Sequence, residues 1–152
     1  MDTGELRRRI LRALEESTND AALRRDDADA ALRRTEADAA ARAYDDFLAT
    51  LAVPMLKQAI DVLKAERQTF VLNAPAGSAR MVSEGAADTF LEFVLDSGGN
   101  RPQVVGRVSR ARRRQRVVVD ERPLATGKAV ADLTEEDVAA FLVTEIPRLL
   151  KR

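Results

Sequence analysis

One proline inside a long apolar helical stripe constrains this chain most. The stretch Tyr44–Thr69 reads YDDFLATLAVPMLKQAIDVLKAERQT. At about 100° per residue, Leu48, Leu51, Met55, Leu56, Ala59, Ile60, Val62 and Leu63 share one wide arc. Lys57, Gln58, Asp61 and Lys64 take the opposite side. Such an arc is broader than a coiled-coil seam and suits a helix laid against a sheet or in a bundle. Pro54 has no backbone donor, and its ring crowds the preceding turn. The stretch is therefore expected to kink at Pro54, or to restart with Pro54 in its first turn.

Downstream, the period changes from helical to strand-like. Thr69–Leu72 and Ser78–Ser83 flank the turn-forming Asn73-Ala-Pro-Ala-Gly77, which predicts a hairpin ending near Gly85. Thr89–Leu95 alternates, and Asp96-Ser-Gly-Gly-Asn100 marks a turn. Gln103–Arg110 and Gln115–Asp120 follow, joined by a tight connection over 111–114. Short links between successive strands favour an antiparallel meander. Residues 122–132 read as loop. Thr134 with Asp137 then opens a last helix with a capping-box pattern, carrying Val138, Phe141, Leu142, Ile146 and Leu149 on one stripe.

Upstream, Asp2 and Glu5 resemble a helix start, and Leu6, Ile10, Leu11 and Leu14 line one side of a short helix. Ser17-Thr18-Asn19-Asp20 is turn and cap chemistry, so a break or kink is expected there. A nonapeptide repeat follows: DAALRRDDA from Asp20, DAALRRTEA from Asp29 and a degraded DAAARAYDD from Asp38. Nine residues are two and a half helical turns, so successive copies face opposite ways and form no heptad seam. Asp20–Arg24, Arg25–Asp29, Asp29–Arg33, Arg34–Asp38 and Asp38–Arg42 are spaced to support a helix as i,i+4 pairs.

The fold class expected is thus α+β: a helical arm over residues 1–43, then a domain over 44–152. That domain comprises a core helix, about five antiparallel strands and a C-terminal helix packed on one sheet face. Leu91, Phe93, Val104, Val117 and Val119 are expected to face the helices. Phe90, Val94, Val105 and Val118 fall on the other face, which a solvated sheet would fill with polar residues.

Composition narrows the chemistry. The 152 residues include no cysteine and no histidine, which removes thiolate chemistry, histidine triads and the usual zinc ligands. Basic and acidic residues balance at 25 each, so net charge argues for neither nucleic acid nor membrane. No apolar run has the length of a membrane span, and MDTGELRRRI has no apolar signal-peptide core; the expected setting is the cytoplasm. Gly127-Lys128 lacks the upstream glycine and the following hydroxyl of a phosphate loop. Asp88, Glu92, Asp120 and Glu121 have no spacing that selects a metal site over solvated strand ends. No catalytic residue, cofactor or metal is expected.

Two features remain as candidates. Phe90, Val94, Val105 and Val118 suggest a surface for a protein partner or a second copy, with the arm assisting. The arginines Arg107, Arg110, Arg112, Arg113, Arg114 and Arg116 crowd one hairpin and suggest contacts to nucleic-acid phosphates instead. No aromatic residue interleaves them, so base stacking has no support there.

Overall fold

The computed structural model describes residues 1–99, 101–112 and 116–151 and, for Arg112, the backbone. The chain divides into two compact units, Met1–Ala37 and Asp38–Arg152. The division falls six residues before the boundary expected from composition, because Ala40 and Ala43 already pack against the core of the second unit.

Helix α1 runs from Thr3 to Phe47 without interruption. The break expected at Ser17–Asp20 does not occur. Thr18 donates its hydroxyl hydrogen to the Leu14 carbonyl at 2.9 Å, so a residue suited to capping is satisfied inside the helix. The i,i+4 pairs expected in the repeat are not closed either. Along α1, among the described residues, the ion pair formed is Glu5–Arg9 at 2.8 Å. Fully hydrated partners gain little by meeting, so the alanine background carries this helix.

Pro54 acts as its chemistry requires. Residues Leu48–Ala52 form a π-helical turn, and helix α2 (Val53–Ala65) starts again with the proline in its first turn. The wider turn accommodates a site where the i→i−4 ladder loses a donor. Leu56 and Leu63 of α2 are buried, whereas Val62, at the margin of the arc, is exposed. The helix closes with Arg67 in the left-handed region at φ 62°, while Gln68 N–H donates to the Leu63 carbonyl at 2.8 Å. This is a Schellman ending with arginine where glycine is usual.

Five strands follow: β1 (Phe70–Asn73), β2 (Ser78–Ser83), β3 (Ala86–Asp96), β4 (Gln103–Arg112) and β5 (Arg116–Pro123). They form one antiparallel meander in chain order. Helix α3 (Glu135–Leu150) packs on the face that carries Gly106, where its Phe141 ring occupies the place of a side chain. Paired residues share a face, so Ala79, Phe93, Gly106 and Arg122 lie in one row under α3, and Leu72, Met81, Leu91, Val108 and Asp120 in the next. Phe93 joins the two helical elements, with ring centroids 5.9 Å from Phe47 and 5.6 Å from Phe141.

Tyr44, the one tyrosine, fastens the end of α1 to this sheet. Its phenol is shared between the Gly77 carbonyl at 2.7 Å and the Phe93 carbonyl at 3.0 Å. Burial, then the negative charges of Glu92 and Asp45, push its pKa up to about 12. The unfolded chain releases this proton near pH 10, so stability falls as pH rises above that value, until the folded phenol also ionises. The gap is worth about 3 kcal/mol. Absorbance at the tyrosinate band should rise near pH 12 in the folded protein and near pH 10 in denaturant.

The start of α3 is a complete capping box. Thr134 accepts from the Asp137 N–H at 3.3 Å, and Asp137 accepts from the Thr134 N–H at 3.0 Å and from Lys128 Nζ at 2.8 Å. The Lys128 hydrogen bond first, and the Thr134 N–H next, hold the Asp137 carboxyl below its ordinary pKa. Its contribution is present above about pH 4 and fades as pH falls through the lowered value. Asp137→Asn should cost about 1 kcal/mol near neutrality. In melts taken at a series of pH values, that difference should vanish in acid.

Candidate interaction surfaces

The sheet face away from α3 is where the sequence placed its partner surface. Phe90, Val94 and Val105 do share that face, since Val94 pairs with Val105 and Phe90 with Ser109. Val118 does not: it pairs with Arg110, on the α3 side. Val117 and Val119, expected to face the helices, lie on the outer face opposite Ala111 and Ser109. Three residues separate the paired Arg112 and Arg116, so even positions of β4 meet even positions of β5. A loop one residue shorter or longer would have given the expected phase, because a one-residue slip turns every side chain over.

The outer apolar residues do not form one continuous patch. A row of alternating charge crosses between them: Arg80 on β2, Glu92 on β3, Arg107 on β4 and Glu121 on β5 are successive cross-strand partners. Arg80 Nη2 lies 2.8 Å from Glu92, Arg107 Nη1 lies 3.7 Å from it, and Arg107 Nε bonds Glu121. The Arg80 guanidinium also sits 4.0 Å above the Phe90 ring. Glu92 and Val105 are buried, and Phe90 and Val94 are half-covered. Long arginine stems cover apolar surface while their heads pair, which a reading of strand alternation alone misses. The signal is present in the sequence only once the register aligns Arg80, Glu92, Arg107 and Glu121.

Two of the six hairpin arginines, Arg107 and Arg110, are engaged within the domain. Arg107 is held in that row. Arg110 points to the α3 side and donates to the Arg148 carbonyl at 2.9 Å, while its buried Nε has no protein partner among the described residues. Arg122 donates to the buried Glu145 at 2.6 Å and lies 4.7 Å above the Phe141 ring. Arg116 is exposed. The side chain of Arg112, together with Arg113 and Arg114, lies outside the described residues.

The four acids weighed for a metal site are not assembled. Glu92 and Glu121 are joined to Arg107 on the outer face, and Asp120 lies on the other. Among the described residues no group of three or more acidic side chains is placed to hold a metal ion. No described helix is long and apolar enough to cross a membrane.

Exposed apolar side chains occur in both units, Val71, Val117 and Val119 of the outer sheet face among them. In the first unit, Leu6, Ile10, Leu11 and Leu14 are 48–58% exposed. They fall within an arc of about 140° at 100° per residue. Arg7 lies within that face and Arg8 beside it. Leu23 and Leu32 are also exposed, but singly. In the second unit, Val117 and Val119 of the edge strand β5 are 47% and 52% exposed. Compared with known proteins, the chain matches no family, no curated protein and no solved structure.

Proposed function

We propose that this chain is a non-catalytic protein-binding module whose α1 docks into another protein through Leu6, Ile10, Leu11 and Leu14. The observation that carries the reading is four large aliphatic side chains on one helical face, each about half exposed. Isolated apolar residues on a surface are ordinary, but an aligned set of four is the pattern of a helix laid into an apolar groove. Arg7 and Arg8 suit a groove edged with carboxylates. Phe90, Val94 and Val105 offer less than their sequence implied, because Val105 is buried, Phe90 and Val94 are half-covered, and the Arg80 guanidinium lies over the Phe90 ring.

A photo-crosslinking residue placed at Leu11 in the living source cell tests this. One protein adduct is expected, absent when Ile10→Glu and Leu14→Glu are introduced together. Labelling no stronger than that of the same probe at the solitary Leu23 would remove the reading.

The alternative, nucleic-acid binding by the 107–116 hairpin, draws on Arg116 alone among the side chains described there, since Arg107 and Arg110 are engaged within the domain. It requires a mobility shift at low salt that Arg116→Ala weakens.

A further inference from the structure

The meander has two edge strands, β1 and β5; among the described residues β5 pairs with β4 on one side and with no strand on the other. It is eight residues long, and its central aliphatic side chains are half exposed. Natural sheets commonly blunt such an edge, since unpaired N–H and C=O groups are a template for another strand. In the hairpin, Leu124 N–H donates to the Val104 carbonyl at 2.9 Å. Hydrogen-bonded and non-bonded pairs alternate along an antiparallel ladder. Even-numbered residues of β5 therefore turn their backbone groups toward β4. Val117, Val119 and Glu121 turn theirs outward. Pro123 falls on the same outward set, where its missing N–H costs the β4 ladder nothing, and it ends the available row.

We propose that this edge pairs antiparallel with the same edge of a second copy, about a two-fold axis at Val118. In that register Arg116 lies opposite Asp120 of the second copy, Val117 opposite its Val119, and Val118 opposite its Val118. The pattern Arg-Val-Val-Val-Asp is complementary to itself when reversed, as an isologous contact requires. Each dimer gains two Arg–Asp pairs and two Val117–Val119 pairs. In this register the outward backbone groups also meet each other, because odd positions oppose odd positions. Moving the axis to Val119 keeps that match but sets Arg116 against Arg122 and Val117 against Glu121. Moving it to Val117 sets Arg116 against Val118 and breaks both Val117–Val119 pairs. Cross-strand pairs of opposite charge and of β-branched residues stabilise an antiparallel ladder, and like charges oppose it. The result is a ten-stranded sheet continuous through two copies. This pairing is independent of the docking proposed for α1.

The chain has no cysteine, so Val118→Cys gives a single-thiol protein. At a non-hydrogen-bonded pair the two Cα atoms stand about 4.5 Å apart, within disulfide reach. Mild oxidation is expected to link the Val118→Cys protein into a dimer and to leave Val117→Cys largely monomeric. Sedimentation equilibrium should show self-association of the unmodified chain, weakened about tenfold or more by Arg116→Asp and likewise by Asp120→Arg, since symmetry doubles each like-charge clash. The double variant Arg116→Asp/Asp120→Arg restores opposite charges and should recover association to near the original strength. Both positions are exposed, so circular dichroism should report an unchanged fold. No Val118→Cys cross-link, or single charge variants that associate as the parent does, would overturn the pairing. So would loss of the cross-link when Ile10→Glu and Leu14→Glu are added, because association would then run through α1.

Discussion

Replacing Phe141 by alanine is expected to cost about 3–5 kcal/mol of stability. The ring is almost fully buried on α3, 5.6 Å from the Phe93 ring, with the Arg122 guanidinium 4.7 Å above it. It also fills the space over Gly106, where its ring atoms are the nearest neighbours. Alanine would open a cavity against three neighbours that belong to different strands, so no single local shift can close it. A domain of this size has about 5–15 kcal/mol in total, and the loss should be plain in a denaturant titration as a lower midpoint with an unchanged slope. Val143→Ala, on the exposed side of the same helix, should fall within about 0.5 kcal/mol of the parent.

Gly106→Ala should be the next most damaging change, at the upper end of the roughly 1–3 kcal/mol typical of overpacking. A Cβ built on Gly106 would stand 2.1 Å from Phe141 Cζ and 2.5 Å from Cε2. The ring is rigid and enclosed by Phe93 and Arg122, so relief has to come from moving α3 off the sheet. The sign should reverse when the obstacle is gone. In a Phe141→Ala background, Gly106→Ala is expected to be neutral or mildly stabilising, since alanine restricts the unfolded chain more than glycine does. The double-mutant cycle should therefore show a coupling of more than about 1 kcal/mol. A coupling near zero would mean that the two groups do not meet.

Most of the second unit was legible from its residues because each element carries a local signal. Pro54 located the joint between α1 and α2, Asn73–Gly77 located a hairpin, and Thr134 with Asp137 located the start of α3. What failed had no local signal. Ser17–Asp20 is turn chemistry in isolation, yet a hydroxyl can bond back into its own helix, and tertiary context does not object. Val117-Val-Val119 has no alternation to mark its inner side, so its phase depends on how many residues the preceding loop holds. The charged row depends on the registers of three strand pairs at once. Glu145 and Tyr44 find their partners 23 and 33 or more residues away in sequence, a distance no window of the chain displays. The candidate surface was therefore half readable: Phe90, Val94 and Val105 were placed on the correct face, but not what lies across them.

The order of elements has a consequence for how the protein is made. Each strand pairs with its neighbour in the chain, so the meander can assemble as translation proceeds, N-terminus first. Helix α3 is delivered only after the last strand. A nascent chain halted at Leu133 would thus carry a complete pleated layer with Gly106, Val108 and much of Phe93 still bare, and that interval is when a ribosome-associated holdase would find most to grip.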